Sequence, residues 1–257
     1  MDKNGAFTIQ LAAKRICVTP MHALIREYCK DYIVDDADGD SVDLTVQTSM
    51  EDIAYERMHS DKEYEPGQYP DDYLETLAVY RKIAEWMPSQ DTVLFHGSAV
   101  AVDGRAYLFT AKSGTGKSTH TRLWREYFGE RAVMVNDDKP LLKVEEDGVW
   151  VCGTPWDGKH RLSSNICVPL SAICILKRGE ENKIHKITPV EAYPMLLQQC
   201  YRPADRTALQ QTLQVLDRIR EKLTFYELFC NRQLDAAQVA YQGMCEGLTL
   251  NQNEVEI

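Results

Sequence analysis

The sequence has no apolar run approaching the roughly 20 residues that a membrane-spanning helix needs. Its first residues, Met1-Asp2-Lys3-Asn4-Gly5, lack the basic-then-apolar pattern of a secretory signal. Both absences favour a cytoplasmic protein with no membrane partner. No C-x-x-C pair occurs among the eight cysteines, Cys17, Cys29, Cys152, Cys167, Cys174, Cys200, Cys230 and Cys245, and no zinc site emerges. Several sit in apolar runs such as Ala172-Ile173-Cys174-Ile175-Leu176, so the set reads as buried free thiols of a reducing compartment. Internal repeats and low-complexity stretches are missing too. Basic charge is scarce: the net charge is −10, the wrong sign for a nucleic-acid partner.

What is present is an ordinary globular composition, 44% apolar and 26% charged over 257 residues, enough for one large or two small domains. The acidity is uneven. Residues 1–90 carry 18 acids against 9 bases, whereas the remainder carries 21 against 20. A charge excess of this kind reads as a solvated face, with docking of a basic partner as the alternative.

Local patterning divides the chain into three parts. In residues 1–60, alternation over 6–18 predicts one or two half-buried strands. Thr19-Pro20 predicts a helix start, 33–41 an acidic loop, Val42 to Val46 a strand, and Ser49 a short helix to about Met58. Together these form a small acidic α+β module. Residues 61–90 comprise a polar linker followed by an amphipathic helix marked by Tyr73, Leu74, Leu77, Tyr80, Ile83, Ala84 and Met87, which Pro88 ends. From 91 to 257 the pattern is of closely spaced strands and then helices. Asp103-Gly104 and Glu146-Asp147-Gly148 mark hairpins. Further strands are expected at 171–177, 183–187 and 225–229. Helices are expected at 189–200, kinked or divided at Pro194, at 205–222 and at 234–245.

The chain is organised around Phe109-Thr110-Ala111-Lys112-Ser113-Gly114-Thr115-Gly116-Lys117-Ser118-Thr119. A strand-like segment precedes this loop, and Lys117 to Phe128 has helical spacing after it. That is the order of a phosphate-binding loop, with Ala111 at the first position of the glycine pattern. Gly114 and Gly116 let successive backbone N–H groups converge. Lys117 supplies charge for β- and γ-phosphates, the Ser118 hydroxyl suits Mg²⁺, and the helix N-terminus favours the same anion.

A phosphate loop serves ATPases, switches and kinases alike. Asp137-Asp138, at the end of a strand after the loop helix, narrows the choice. Residues at the carboxyl ends of such strands meet beside the phosphates, where one acid can hold Mg²⁺ and another take a proton from an attacking hydroxyl. By itself the pair could also be a simple Asp-Asp turn, the less favoured reading. His96, ending the apolar run Thr92-Val93-Leu94-Phe95, could be a core histidine or the edge of a site. In Gly153-Thr154-Pro155-Trp156-Asp157-Gly158-Lys159, Lys159 is a candidate to neutralise a transferring phosphoryl group, and Trp156 to wall a pocket.

The order Phe95-His96-Gly97, Asp103-Gly104, Ala111-x-x-x-x-Gly116-Lys117-Ser118 and Asn136-Asp137-Asp138 resembles the catalytic domain of HPr serine kinase/phosphorylase and its relatives. These share a nucleotide fold with phosphoenolpyruvate carboxykinase. The resemblance spans about a third of the chain. It implies an α/β fold with a P-loop mixed sheet, ATP and Mg²⁺ as cofactors, and phosphoryl transfer to a serine-type hydroxyl in a peptide, protein or small molecule. It assigns Ser113, Gly114, Thr115, Gly116, Lys117, Ser118 and Thr119 to the nucleotide, Ser118 to the metal, Asp137 and Asp138 together as the pair of metal ligand and base, and His96 to the site's edge. Asp138 is the favoured base and Asp137 the favoured metal ligand, with the reverse order open. The segment 153–159 is closer to the small kinases of this group than to HPr kinase proper. A nucleotide-binding regulator or assembly factor with slow hydrolysis is the alternative, and a homo-oligomer stays open.

Overall fold

The computed structural model describes residues 5–35, 41–59 and 69–253, with side chains in the last helix described to residue 245. Most of the acidic loop expected over 33–41 and of the linker expected over 61–69 lies outside these residues. The chain divides into two compact units, Met1–Met87 and Pro88–Ile257.

In the first unit, β1 (Phe7–Leu11) and β2 (Lys14–Thr19) form a hairpin. Its two turn residues, Ala12 and Ala13, have φ of 50° and 64°. Alanine rarely occupies that region, so the turn left no mark in the sequence. Helix α1 (Leu24–Tyr28) follows, then β3 (Ile33–Val34) and β4 (Leu44–Gln47), in a four-stranded sheet of order β3-β1-β2-β4. Thr19-Pro20 does not start a helix, because Thr19 is held in the β2–β4 ladder opposite Gln47. Helices α2 (Met50–His59) and α3 (Asp71–Trp86) complete the unit. The α3 residue Glu75 is fully buried, and its carboxylate accepts from the backbone N–H groups of Met21 and His22 (2.6 and 2.8 Å) and from the Thr48 hydroxyl. A buried carboxylate needs such partners to offset its lost hydration.

The second unit begins with β5 (Thr92–Leu94), β6 (Ser98–Val102) and β7 (Arg105–Thr110). Asp103 and Gly104 turn β6 into β7 with φ of 51° and 78°, as their residue types demand. Helix α4 (Lys117–Phe128) leads to β8 (Ala132–Asn136), and the hairpin β9 (Leu141–Val144) and β10 (Val149–Cys152) follows. Then come β11 (Cys167–Arg178), β12 (Lys183–Ile187), α5 (Pro189–Gln199), α6 (Arg206–Lys222), β13 (Thr224–Cys230) and α7 (Asp235–Asn253). Pro194 does not divide α5, which Thr188 and Glu191 cap reciprocally.

These strands make a mixed nine-stranded sheet of order β5-β9-β10-β11-β7-β6-β8, with β13 on β11 and β12 on β13. The long strand β11 joins two halves. Its first residues pair antiparallel with β10, and its later ones lie parallel between β7 and β13. Alternation explains why β6 and β7 are apolar throughout. Ala99, Ala101, Ala106 and Leu108 face one core with α5 and α6, while Val100, Val102, Tyr107 and Phe109 face another with α4 and α7. The architecture is α/β, with both faces of the central strands covered.

The thiol reading needs correction. Cys152 and Cys167 fall directly opposite each other on β10 and β11 and form a disulfide; Cys167 is exposed, and Cys17, Cys230 and Cys245 are only half-buried. Fifteen residues of separation hide this pairing until the strand register is known. Among the described residues, no helix is long and apolar enough to cross a membrane.

Candidate active site

The site follows from strand direction. Strands β7, β8, β11 and β13 are mutually parallel, so their carboxyl ends share one edge of the sheet, and antiparallel β6 begins at that edge. Ligand sites of α/β sheets form along such an edge. Here it collects the loop 111–116 after β7, Asp137 and Asp138 after β8, and His96 before β6.

Gly114 and Gly116 have φ of 73° and 124°, so conformation alone demands glycine there. Arg178, at the end of β11, donates to the Gly114 carbonyl at 2.6 Å and pins the loop from outside. Lys117 is 8% exposed, and its ammonium donates to the Ala111 carbonyl at 3.3 Å, inside the curve of the loop. Burial lowers its pKa. The carboxylates of Asp138 and Asp137 oppose that effect without cancelling it, so both lie within the ammonium's field.

Asp137 is buried, and a chain of hydroxyls holds it. Ser98 donates to Asp137 Oδ1 at 2.7 Å, which leaves Thr121 to donate to Ser98 at 2.8 Å. Oδ2 lies against Gly158, where an added Cβ would stand 2.8 Å away. Asp138 is more open. Its Oδ1 is 3.3 Å from His96 Nε2, and its Oδ2 is 3.8 Å from Lys139 Nζ. Burial pushes the Asp138 carboxyl up, but the His96 hydrogen bond, Lys139 and Lys117 together outweigh it and hold the pKa below its ordinary value.

Asn136 orients the pair. Fully buried, it accepts through Oδ1 from the N–H groups of Asp138 and Lys139 (2.8 and 2.7 Å) and donates through Nδ2 to the carbonyl and hydroxyl oxygens of Thr154, each at 3.1 Å. The Gly97 N–H donates to the Asp138 carbonyl at 3.0 Å, tying His96-Gly97 to the same turn.

Two cavities flank α4. One, of 260 Å³, is lined by Thr115, Gly116, Thr119, His120, Arg178 and Arg232, among others. The other, of 420 Å³, lies on the Asp137 side and includes Ser118, Arg122, Arg125 and His160. Ser113 lies at neither, but with Lys112 and Thr115 along the outer side of the loop. The structure therefore brings His96, Lys117, Asp137 and Asp138 together and puts Ser118 in one cavity with Asp137. Lys159 is exposed and has no hydrogen bond or ion pair among the described residues. Trp156 is buried; its carbonyl, 3.5 Å from the Asn136 amide nitrogen, belongs to the network that braces the acidic turn.

Sequence reasoning missed Ser98, Thr121, Arg178 and His120. His120 is 2% exposed; its Nε2 accepts from the Trp124 indole N–H at 3.1 Å, so the neutral ring carries its proton on Nδ1, which has no partner. Burial pushes its pKa down to about 3. Its position at the fourth residue of α4 was readable, but its burial was not.

Fold and site together define an α/β protein whose glycine-bearing loop, buried lysine and acidic pair share one sheet edge. Residues 73–232 match the family profile described as SynChlorMet cassette protein ScmC, and the chain belongs to that family. Comparison with curated proteins gives no match. Among solved structures, the chain is similar to the Hpr(Ser) kinase/phosphatase from Coxiella burnetii, at 15% identity and a TM-score of 0.29 over 50% of this chain and 97% of that one. A likeness of that size carries no argument about activity.

Proposed function

We propose that the protein is an ATP- and Mg²⁺-dependent kinase that transfers the γ-phosphoryl group to a hydroxyl of a serine-type acceptor. The observation that carries this reading is the buried Lys117 ammonium at the start of α4, in the field of both Asp137 and Asp138. A loop built only to hold a nucleotide does not need two carboxylates beside its lysine, since they repel phosphate. Phosphoryl transfer to a hydroxyl or to water uses them, one for a metal and one for a proton.

The donor set fits Mg²⁺. Ser118 and Asp137 line one cavity, and Mg²⁺ takes one or two protein oxygens and completes its shell with phosphates and water. Asp137, fixed by Ser98 and free to accept through Oδ2, suits that role with Ser118. When bound, the ion would neutralise charge on the β- and γ-phosphates.

Backbone N–H groups of residues 113–119 and the Lys117 ammonium hold the phosphates. Asp138 accepts the proton of the attacking hydroxyl, and His96 and Lys139 keep it ionised. A lowered pKa makes it a weak base, which suits phosphoryl transfer, where the transition state is loose and the hydroxyl proton moves late. Lys159, exposed just after Gly158, is the candidate to neutralise charge on the transferring phosphoryl group.

The test is label transfer from γ-labelled ATP to pooled metabolites and peptides. Asp138→Asn should retain ATP binding and lose transfer by roughly 10²- to 10⁴-fold. Unchanged transfer in that variant would remove the base assignment. Label found only in free phosphate would turn the reading toward a regulator.

A further inference from the structure

The 420 Å³ cavity beside α4 has a chemical character that phosphate binding does not use. Ser118, Arg122 and Arg125 lie at i, i+4 and i+7 on α4, a single face of the helix, and all three line the cavity. Ser118 stands at its phosphate end. Arg122 and Arg125 follow at about 6 and 10 Å along the helix axis. Met134 of β8 and Leu162 make the apolar part of the wall, His160 adds a second polar wall, and Asp137 is the one carboxylate present.

The two arginines differ in partners. Arg122 is exposed and pairs with Glu126 at 3.6 Å on its own helix, a contact of small worth. The Arg125 side chain has no hydrogen bond or ion pair among the described residues, and its Nε is buried without a partner. Buried donors are almost always satisfied, and a cationic one most of all. The cavity it lines is where a partner would come from. Nucleotide phosphates do not account for it, because Arg125 lies two helical turns from the loop that would bind them.

We propose that this cavity is the acceptor site and that it selects a hydroxyl compound bearing a carboxylate. Arg125, with Arg122, binds the carboxylate, and the hydroxyl faces Asp137 and the phosphate end. The inference rests on the kinase reading and adds the acceptor's class. The spacing suits a hydroxyl and a carboxylate a few bonds apart, and the volume suits a free hydroxy or amino acid or the C-terminal residue of a peptide. In the transfer, the acceptor oxygen forms its bond to the γ-phosphorus as the bond to the bridging β,γ-oxygen breaks. ADP leaves, and the hydroxyl proton passes to the Asp137–Asp138 pair, of which Asp137 lines this cavity.

The test uses the full chain, γ-labelled ATP and matched acid–amide pairs: L-serine with L-serinamide, and Gly-Gly-Ser with its C-terminal amide. The free acid should be the better acceptor in at least one pair, with a KM roughly 10- to 100-fold lower, the range for a charge-assisted contact. Which pair responds distinguishes a free amino acid from a peptide end. Arg125→Gln should raise KM for the acid by a similar factor and leave KM for ATP and for the amide unchanged. Arg125→Lys should recover part of the loss, and Arg122→Gln, at an exposed position, should give a smaller shift. Equal use of acid and amide, or equal damage to both by Arg125→Gln, would overturn the inference. So would label reaching only internal serines of peptides, which leaves the kinase reading standing. Label in no acceptor of any kind, with ATP binding intact, would overturn the kinase reading itself and this inference with it.

Discussion

His120 ties the loop helix to the stability of the second unit in a way that can be measured. The ring is 2% exposed, accepts from Trp124, stacks edge-on against Phe109 with centroids 4.5 Å apart, and has its pKa pushed from 6.5 to about 3. In the unfolded chain it protonates near pH 6.5, while in the folded chain it stays neutral. Between those values the unfolded state binds one more proton, so stability rises with pH and is lost as pH falls. The slope is about 1.4 kcal/mol per pH unit, so lowering the pH from 7 to 4.5 removes about 2–3 kcal/mol. His120→Phe, which keeps the contact with Phe109, removes this dependence. It also orphans the Trp124 N–H, at a cost of about 1–3 kcal/mol at every pH. Urea unfolding of wild type and variant at pH 7, 6, 5 and 4.5 should show the two stabilities converging as pH falls, because every other side chain is common to both. Parallel loss in the two proteins would refute the reasoning, as would a His120 imidazole that titrates near pH 6.5 by NMR.

Two glycines give sharper structural tests. At Gly153 an added Cβ would lie 2.0 Å from the Ser164 carbonyl oxygen and 2.7 Å from that of Val135, both backbone atoms that cannot swing aside. Gly153→Ala should therefore cost about 3 kcal/mol or more and lower Tm by on the order of 10 °C; a Tm within a degree or two of wild type would contradict the packing. At Gly158 the added Cβ would first meet the Asp137 side chain, its Oδ2 at 2.8 Å. Gly158→Ala should keep a near-wild-type Tm but displace that carboxylate, with loss of transfer on the order of 10²-fold. Full activity in a folded variant would separate Asp137 from the chemistry.

Much of the fold was legible because its signals are local. Alternation places β6 and β7, Asp103-Gly104 joins them through two residues of positive φ, and the spacing after Lys117 gives α4. The β1–β2 turn was illegible because alanines occupy it, and α5 continues past Pro194 instead of dividing there. Thr19-Pro20 carries a good helix-start signal, yet pairing with β4 holds Thr19 extended.

For the candidate site, the residue types and their order were readable, since a glycine loop ending in Gly-Lys-Ser and an adjacent acid pair are short-range patterns. Their convergence depends on strand direction. Only the parallel run of β7 and β8, with antiparallel β6 between them, brings His96, Ser98, Lys117, Asp137 and Asp138 to one edge. Arg178 reaches Gly114 across 64 positions of sequence, and Cys152 meets Cys167 across a strand register. Each is a contact between residues that no local propensity relates. The sequence by itself thus determined the secondary elements and the chemistry of the loop, because those depend on neighbouring dihedrals and side-chain types. Tertiary structure alone decided which charges share a field, which donors lack partners and which cavity lies beside the loop, because those depend on distances set by the whole sheet.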